Sequence, residues 1–516
     1  MGTEPRRGWT RALTALVFLL PLLAFFLRLG AAPLFDVDEG AFSEATREMF
    51  ARGDFLSTYL DGANRFDKPI LIYWLQALGY LLFGPTEWAF RLPSAVAAAS
   101  WSYATWFFAR ERFGPAVALA ALVVTSTALG PFVIGRAATA DALLNLLLAL
   151  TLFDAWRHLE SGRRAPLLRS FVWMALGALT KGPIALIVPG AVTFLYCVSR
   201  GQWRRWLRAI ADPIGWLIFV VLVVPWYAYT LGVHGQSFID GFILKHNVKR
   251  FTGSLEGHTG SLFYYVIALP LLLLPWIGPL LASLRNALRD ANTGVRRFLW
   301  LWALFVVAFF SLSGTKLPHY ALYGATPLFI LIAAHRESLV RRWPHLIAPT
   351  LFFALLPLLP SLFGYLSSTG AGNAFYRAQL SRALDLVTPI YYLVTILLLA
   401  GWLALAVFGR LKVWQTLAIG AAAQVLVLAA VVVPYLGDVV QGPVKDAGLL
   451  ARKLSESAVR LRFDAPSFSV YALAATPHDE ARPGQLVVTR IDRVPSSGYE
   501  VLFQEGGVVL LRRQAQ

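Results

Sequence analysis

Residues 200–231 read RGQWRRWLRAIADPIGWLIFVVLVVPWYAYTL: four arginines, then nineteen residues from Pro213 to Leu231 without a charge. At about 1.5 Å rise per residue such a run forms a helix nearly as long as a hydrocarbon core is thick. Arginine is retained on the cytoplasmic side, so the stretch also has a direction, entering after Arg208 and leaving at Leu231. The pattern repeats along the chain. Of its 516 residues 57% are hydrophobic and 15% charged, where a soluble protein carries about a quarter charged. The protein is therefore polytopic. Its net charge of +17 does not indicate nucleic acid. The basic residues sit in short links between apolar runs (Arg157, Arg163, Arg164 and Arg169 in one, Arg200, Arg204, Arg205 and Arg208 in another) and form no continuous basic face. The single cysteine, Cys197, excludes a disulfide framework and a Cys/His zinc knuckle.

Arg6, Arg7 and Arg11 precede the first apolar run, 12–29, which places the N-terminus in the cytoplasm. A signal peptide cleaved near Leu29–Gly30–Ala31–Ala32 is the alternative. Further runs lie near 90–109, 115–134, 139–157, 167–180, 183–199, 213–231, 262–284, 298–312, 319–334, 345–366, 387–408 and 413–434, about thirteen spans in all. The run Pro69–Gly84 is roughly 24 Å long if helical and marginal as a span. Parity decides its reading. If it crosses, Arg110, Arg112, Arg163, Arg164, Arg204, Arg205, Arg296, Arg297, Arg341 and Arg342 all face outward; if it lies on the surface, all are cytoplasmic. It is read as a juxtamembrane helix. The expected fold is mainly α: a transmembrane domain over 1–434, whose first outer loop is 30–89, and a small outer α/β domain over 435–516. That domain should hold a helix at 443–456 and strands at Ser467–Leu473, Gln485–Arg490, Tyr499–Phe503 and Gly507–Arg512.

A charge at mid-bilayer costs about 2.5–3.5 kcal/mol on insertion scales, and the spans are nearly free of ionisable residues. These gather instead at the outer ends: Asp36, Asp38 and Glu39 after the first span, Asp67 and Lys68 before the juxtamembrane helix, Asp141, Lys181, and then Lys316, His319 and Tyr320. Acids and bases at one membrane face describe a cavity working on something anchored in that leaflet. Each also has a plainer reading. Asp38 could N-cap the helix that begins at Glu39, Asp141 could cap its span, Lys68 and Lys316 could snorkel to headgroups, and His246 could be an ordinary loop histidine.

The segment Val37–Asp38–Glu39–Gly40–Ala41–Phe42–Ser43–Glu44, with Arg47–Glu48–Met49, Gly53–Asp54 and Phe66–Asp67–Lys68–Pro69, resembles the first periplasmic loop of bacterial lipid A aminoarabinose transferases. More broadly it is similar to the protein-mannosyltransferase-like group of GT-C glycosyltransferases. The likeness continues at Arg91–Leu92–Pro93–Ser94, Asp141, Thr180–Lys181–Gly182–Pro183, His246 with Arg250–Phe251, and Lys316–Leu317–Pro318–His319–Tyr320, so it covers essentially the whole chain. The resemblance implies a GT-C fold of thirteen spans in the bacterial inner membrane, with the active site and C-terminus periplasmic. It implies inverting transfer of a sugar from a polyprenyl phosphate to a lipid, glycan or protein acceptor, as a modification of lipid A or another envelope component. A transporter or lipid flippase is the rival; it predicts paired half-helices and repeats, which the sequence does not show.

Within that reading Asp38, Glu39 and Asp141 are the catalytic candidates. Lys68, Lys181, Lys316, Arg250 and Tyr320 are the candidates for the donor phosphate, because cations help most where negative charge builds on the departing group. Asp67 and His246 are the positions that could help hold a divalent cation. Both lie where this chain departs from the family: Asp67–Lys68–Pro69–Ile70 stands where Glu-Lys-Pro-Pro is frequent, and Lys245 where a Glu often precedes the histidine.

Overall fold

The computed structural model describes residues 4–249, 253, 260–290, 292, 294–370 and 372–514, with side chains from residue 12 onward. Residues 4–234 form eleven helices: α1 (Glu4–Phe26), α2 (Asp38–Arg52), α3 (Leu71–Phe83), α4 (Glu87–Phe113), α5 (Pro115–Thr127), α6 (Leu129–Gly135), α7 (Asp141–Ser161), α8 (Arg164–Lys181), α9 (Ile184–Ser199), α10 (Trp203–Ile210) and α11 (Pro213–His234). Among the described residues six helices are long and apolar enough to cross a membrane: α7, α11, Gly294–Leu312, Trp343–Ser368, Pro389–Phe408 and Val413–Leu454. The pair α5 and α6, bent by 60°, makes a seventh. Other runs expected to cross are shorter or broken, so length and composition do not reproduce the count of thirteen. The run 262–284 divides into Tyr264–Leu272 and Ile277–Leu284, and 319–334 opens as a 3₁₀ turn behind Pro318. The break at 273–276 and the bend between α5 and α6 satisfy one another: Leu129 N donates to Leu274 O at 2.9 Å and Trp276 Nε1 to Thr127 Oγ1 at 3.1 Å. Helix α7 is central, 72% of its apolar window being buried, whereas α11 and Pro389–Phe408 bury only 22% and turn their apolar sides to lipid.

Polar contacts sort the chain into two faces. At one, the arginine links pair with nearby acids: Arg157 with Glu111, Arg112 with Glu160, Arg164 with Asp212 and Arg169 with Asp154. At the other, the first loop meets the C-terminal region. Asp36 accepts from Ser467 N at 2.9 Å, Tyr471 Oη accepts from Leu34 N at 2.7 Å, and Lys445 pairs with Glu87 at 2.6 Å. The hairpin of β1 (Tyr59–Leu60) and β2 (Ala63–Asn64) turns at Asp61 and Gly62, both with positive φ, the geometry of a tight type I′ turn. Its tip reaches the same region, where Asp61 holds Arg460 and Ser469. Gly40 permits this closeness, since a Cβ there would stand 2.4 Å from Ser467 N. Residues 30–89 and the C-terminal region thus share one face, as the parity of the arginine clusters requires.

The C-terminal region is a four-stranded sheet of order β3 (Ala458–Arg460), β4 (Leu486–Arg490), β6 (Val508–Arg513) and β5 (Tyr499–Glu505), with β3 parallel to β4 and the other pairs antiparallel. Helix Val413–Leu454 runs unbroken across residues 434–435, so the bundle passes into the sheet through a helix. One expectation is corrected. Ser467–Leu473 is not a strand; Pro466–Ala472 is a helix buried on every side, with proline at its first turn. A short apolar run covered all round carries no period by which strand and helix can be told apart.

This arrangement makes a topological prediction. In a Cys197→Ser background, Asn64→Cys and Ser496→Cys are expected to react with a membrane-impermeant maleimide on intact spheroplasts, and Ser161→Cys only after permeabilisation. All three positions are exposed. Labelling of Ser161→Cys from outside would place the arginine links on the wrong side.

Candidate active site

Helix α8 ends in Thr180–Lys181–Gly182–Pro183. Gly182 sits at φ +75°, in the left-handed region that favours glycine, and a Cβ there would meet the Phe242 ring at 2.8 Å. The stop leaves Lys181 as the last helical residue, facing the start of α7. Its Nζ donates to Asp141 Oδ1 at 2.5 Å and to Tyr323 Oη at 2.7 Å, and the Tyr323 hydroxyl donates to Asp141 Oδ1 at 2.8 Å. His319 Nε2 lies 3.6 Å from the same oxygen. Asp141 does not cap α7; the N-cap is Ala140, and the carboxylate is held from the side. Tyr320 and Tyr323, one 3₁₀ turn apart and so on one face, put their rings 5.6 and 5.5 Å from Lys181 Nζ.

A second cluster surrounds Asp67. Lys68 Nζ donates to Oδ1 at 2.5 Å, Arg65 pairs with Oδ2 at 3.0 Å, and His246 Nδ1 stands 3.0 Å from Oδ1. Burial pushes this carboxyl up, but Lys68, His246 and Arg65 outweigh burial and hold it well below the usual range. His246 lies on a π-helical stretch, Ile239–Lys249. The pair Asp67 and His246 does not fit a dication in this arrangement, because the carboxylate already carries the Lys68 and Arg65 charges.

The two clusters border one cavity of about 470 Å³. Its polar end is Asp67, Lys68, Lys181, His246 and the two tyrosines, and the rest is apolar, with Ile184, Ile187, Phe242, Phe309 and Phe310. A second cavity, about 560 Å³, is lined by Asp38, Asp141 and His319 together with Asp36, Glu39, Arg91 and Arg136. Asp141 faces the second cavity while its partners Lys181 and Tyr323 face the first. The bonded group is therefore the wall between them.

Asp38 is the first residue of α2, behind an N-cap at Val37 that has no side-chain capping bond. Its carboxylate makes no hydrogen bond among the described residues and faces the second cavity. Burial raises its pKa, Asp141 and Asp67 raise it further, and Lys68 and Lys181 pull it back. Glu39 is different. It accepts from Arg91 at 2.8 and 2.7 Å, from Ala138 N at 2.7 Å and from Phe35 N at 2.9 Å. Arg91 also binds the carbonyls of Leu29, Ala32 and Pro33, so the Glu39–Arg91 pair fixes the turn that aims Asp38.

Lys316 lines neither cavity; its Nζ donates to Ser311 O at 3.0 Å and Ser313 O at 2.6 Å, at the end of helix Gly294–Leu312. Arg250 lies outside the described residues. The sequence reading passed over Tyr323 and Arg65. Tyr323 had a signal, its three-residue spacing from Tyr320; Arg65 had none beyond its nearness to Asp67. Among the described residues the acids close enough together to share an ion are Glu44, Glu48 and Asp61, already neutralised by Arg47, Arg52 and Arg460.

Residues 67–229 match the family described as dolichyl-phosphate-mannose-protein mannosyltransferase. An undecaprenyl phosphate-alpha-4-amino-4-deoxy-L-arabinose arabinosyl transferase of Pseudomonas paraeruginosa is 30% identical over 349 residues, covering 65% of this chain and 60% of that protein. A protein of the same description from Pseudomonas fluorescens is 28% identical over 433 residues, 80% of this chain and 74% of its own. The match thus spans less than two thirds of the first relative. Among solved structures, ArnT from Cupriavidus metallidurans bound to undecaprenyl phosphate superposes with a TM-score of 0.80 at 23% identity over 98% of each chain. The oligosaccharyltransferase of Archaeoglobus fulgidus gives 0.54 at 14% identity, over 92% of this chain and 65% of that one. These two likenesses show the fold. With the GT-C fold throughout, and with the family's match across the segment that carries Lys68, Asp141 and Lys181, the chain is similar to the protein-mannosyltransferases and to the aminoarabinose transferases in both sequence and fold.

Proposed function

We propose that the protein is an inverting glycosyltransferase of the bacterial inner membrane, which moves a sugar from a polyprenyl phosphate to lipid A or another envelope acceptor at the periplasmic face. The observation that carries this reading is the pair of cavities joined at Asp141, Lys181 and Tyr323. The apolar cavity suits a prenyl chain, and Lys68 and Lys181 at its polar end suit the phosphate. The other cavity holds the Asp38 carboxylate, which makes no hydrogen bond among the described residues, where an acceptor would enter. The curated relatives, named for undecaprenyl-phosphate aminoarabinose transfer, support the donor class.

In this mechanism the acceptor oxygen attacks C1 of the sugar while the C1–O bond to phosphate breaks, and the polyprenyl phosphate leaves from the opposite side with inversion. Negative charge grows on the departing phosphate, where the Lys68 and Lys181 ammoniums meet it in a largely dry pocket. If the acceptor is a hydroxyl, its proton passes to Asp38; an acceptor phosphate needs no base, and Asp38 then orients it. Tyr323 and Asp141 hold Lys181 in place. The transporter reading has less support, because the α5–α6 bend and the break at 273–276 satisfy each other and the acids and bases lining the two cavities lie at the ends of the helices.

Mass spectrometry of lipid A and envelope glycolipids tests the proposal. Cells with the protein are expected to contain a species heavier by one sugar residue, absent from cells without it. Identical profiles under conditions of confirmed expression would overturn it.

A further inference from the structure

At the face opposite the proposed active site, a third large cavity of about 600 Å³ lies among the ends of α4 and α7, the link from α9 to α10, and the first residues of helix Gly294–Leu312. Its wall is polar, and two of its buried donor atoms have no acceptor among the described residues. Trp156 is 5% exposed, and its indole N–H meets no acceptor among the described residues. Arg112 Nε is likewise buried and unmatched, although the same guanidinium pairs with Glu160. The acids of the wall are spent: Glu160 on Arg112, and Glu111 on two bonds from Arg157 at 2.8 and 3.0 Å. Arg205 makes one long bond, 3.3 Å to His158 O, and Arg200 makes no side-chain hydrogen bond or ion pair among the described residues. Gly294 and Val295 add a helix N-terminus, with its partial positive charge, to the same wall.

Burying an indole N–H without an acceptor is costly, and two surplus guanidiniums beside it leave the cavity short of negative charge. A phosphate group answers both, having several acceptor oxygens and a net charge. Trp156 is held by Tyr196 and Phe298, with ring centroids 5.3 and 5.2 Å away, so its ring is fixed in the wall of the cavity. The depth also fits. Helix α10, WRRWLRAI, sets Arg204 and Arg208 against exposed Trp203 and Leu207, as a helix lying in the headgroup layer does. We infer that this cavity binds a phosphate group on the cytoplasmic face, the headgroup of an anionic phospholipid or a soluble phosphate. The inference does not depend on glycosyl transfer.

Calorimetric titration of the delipidated full-length protein in nonionic detergent tests it, with dioctanoyl-phosphatidylglycerol, dioctanoyl-phosphatidylcholine and inorganic phosphate as separate probes. Saturable binding of phosphatidylglycerol, but not phosphatidylcholine, is expected. The double variant Arg200→Gln/Arg205→Gln should weaken it about tenfold or more, and Trp156→Phe, which keeps the ring and loses the N–H, about three- to tenfold. Arg204→Gln/Arg208→Gln removes the same charge from the exposed side of α10 and should leave affinity within about twofold. Unfolding temperatures without ligand establish that each variant is folded. Saturable inorganic phosphate without phosphatidylglycerol binding would assign the site to a soluble phosphate. Equal losses in the two double variants, or no saturable binding of either anion, would overturn the inference.

Discussion

Asp38→Asn is expected to lower transfer by about a hundredfold or more, the usual contribution of a positioned general base, while the protein folds normally. Asparagine keeps a side-chain oxygen that can serve a helix N-terminus, so the substitution removes the charge alone. The fold does not lean on this carboxylate: Asp38 supports no side-chain hydrogen bond among the described residues, and the turn before it is held by Glu39 and Arg91. A pH profile sharpens the test. The base must be ionised, so the rate rises with pH through the pKa of Asp38. Burial first, and then Asp141 and Asp67, raise that value against the pull of Lys68 and Lys181. The acid limb should therefore lie above the ordinary carboxylate range and vanish in Asp38→Asn. Normal turnover in the folded variant would remove Asp38 from the chemistry.

Lys181→Gln and Lys68→Gln are each expected to reduce transfer about tenfold to a hundredfold, since a charge-assisted bond to a phosphate contributes about 1.5–3 kcal/mol. The two differ in what else they disturb. Lys181 is 10% exposed and paired with an equally enclosed Asp141, and removing one partner of such a pair leaves an uncompensated charge worth about 3–5 kcal/mol. Glutamine keeps a donor for Asp141 but not its neutralisation, so Lys181→Gln should lose thermal stability as well as activity. Adding Asp141→Asn should restore the stability and not the rate. Asp67 keeps Arg65 and His246 when Lys68 is changed, so Lys68→Gln should lose activity with little stability. Full activity in both single variants would return the lysines to a structural part.

The sequence by itself determined what depends on composition and local order. Membrane class follows from the apolar runs, the two faces from where arginine collects, and helix ends from residues such as Gly182 and Pro213, because each of these is a property of a short stretch. The strands Gln485–Arg490, Tyr499–Phe503 and Gly507–Arg512 were legible for the same reason, to within a residue or two at their ends. Which side chains meet was decided only by tertiary packing. Asp141, Lys181 and Tyr323 are separated by 40 and 142 residues and share one set of bonds because α7, α8 and the turn after Pro318 pack together. Asp38 and Glu39 are neighbours in sequence and line one cavity, yet the first turn of α2 leaves one without a hydrogen bond among the described residues and binds the other to Arg91. Lys316 reads like Lys68 and Lys181 along the chain, but its ammonium is taken up by the carbonyls at a helix end. A charged residue declares its chemistry in the sequence; whether that chemistry is spent on the protein or left for a substrate depends on which partners folding brings within about 3 Å.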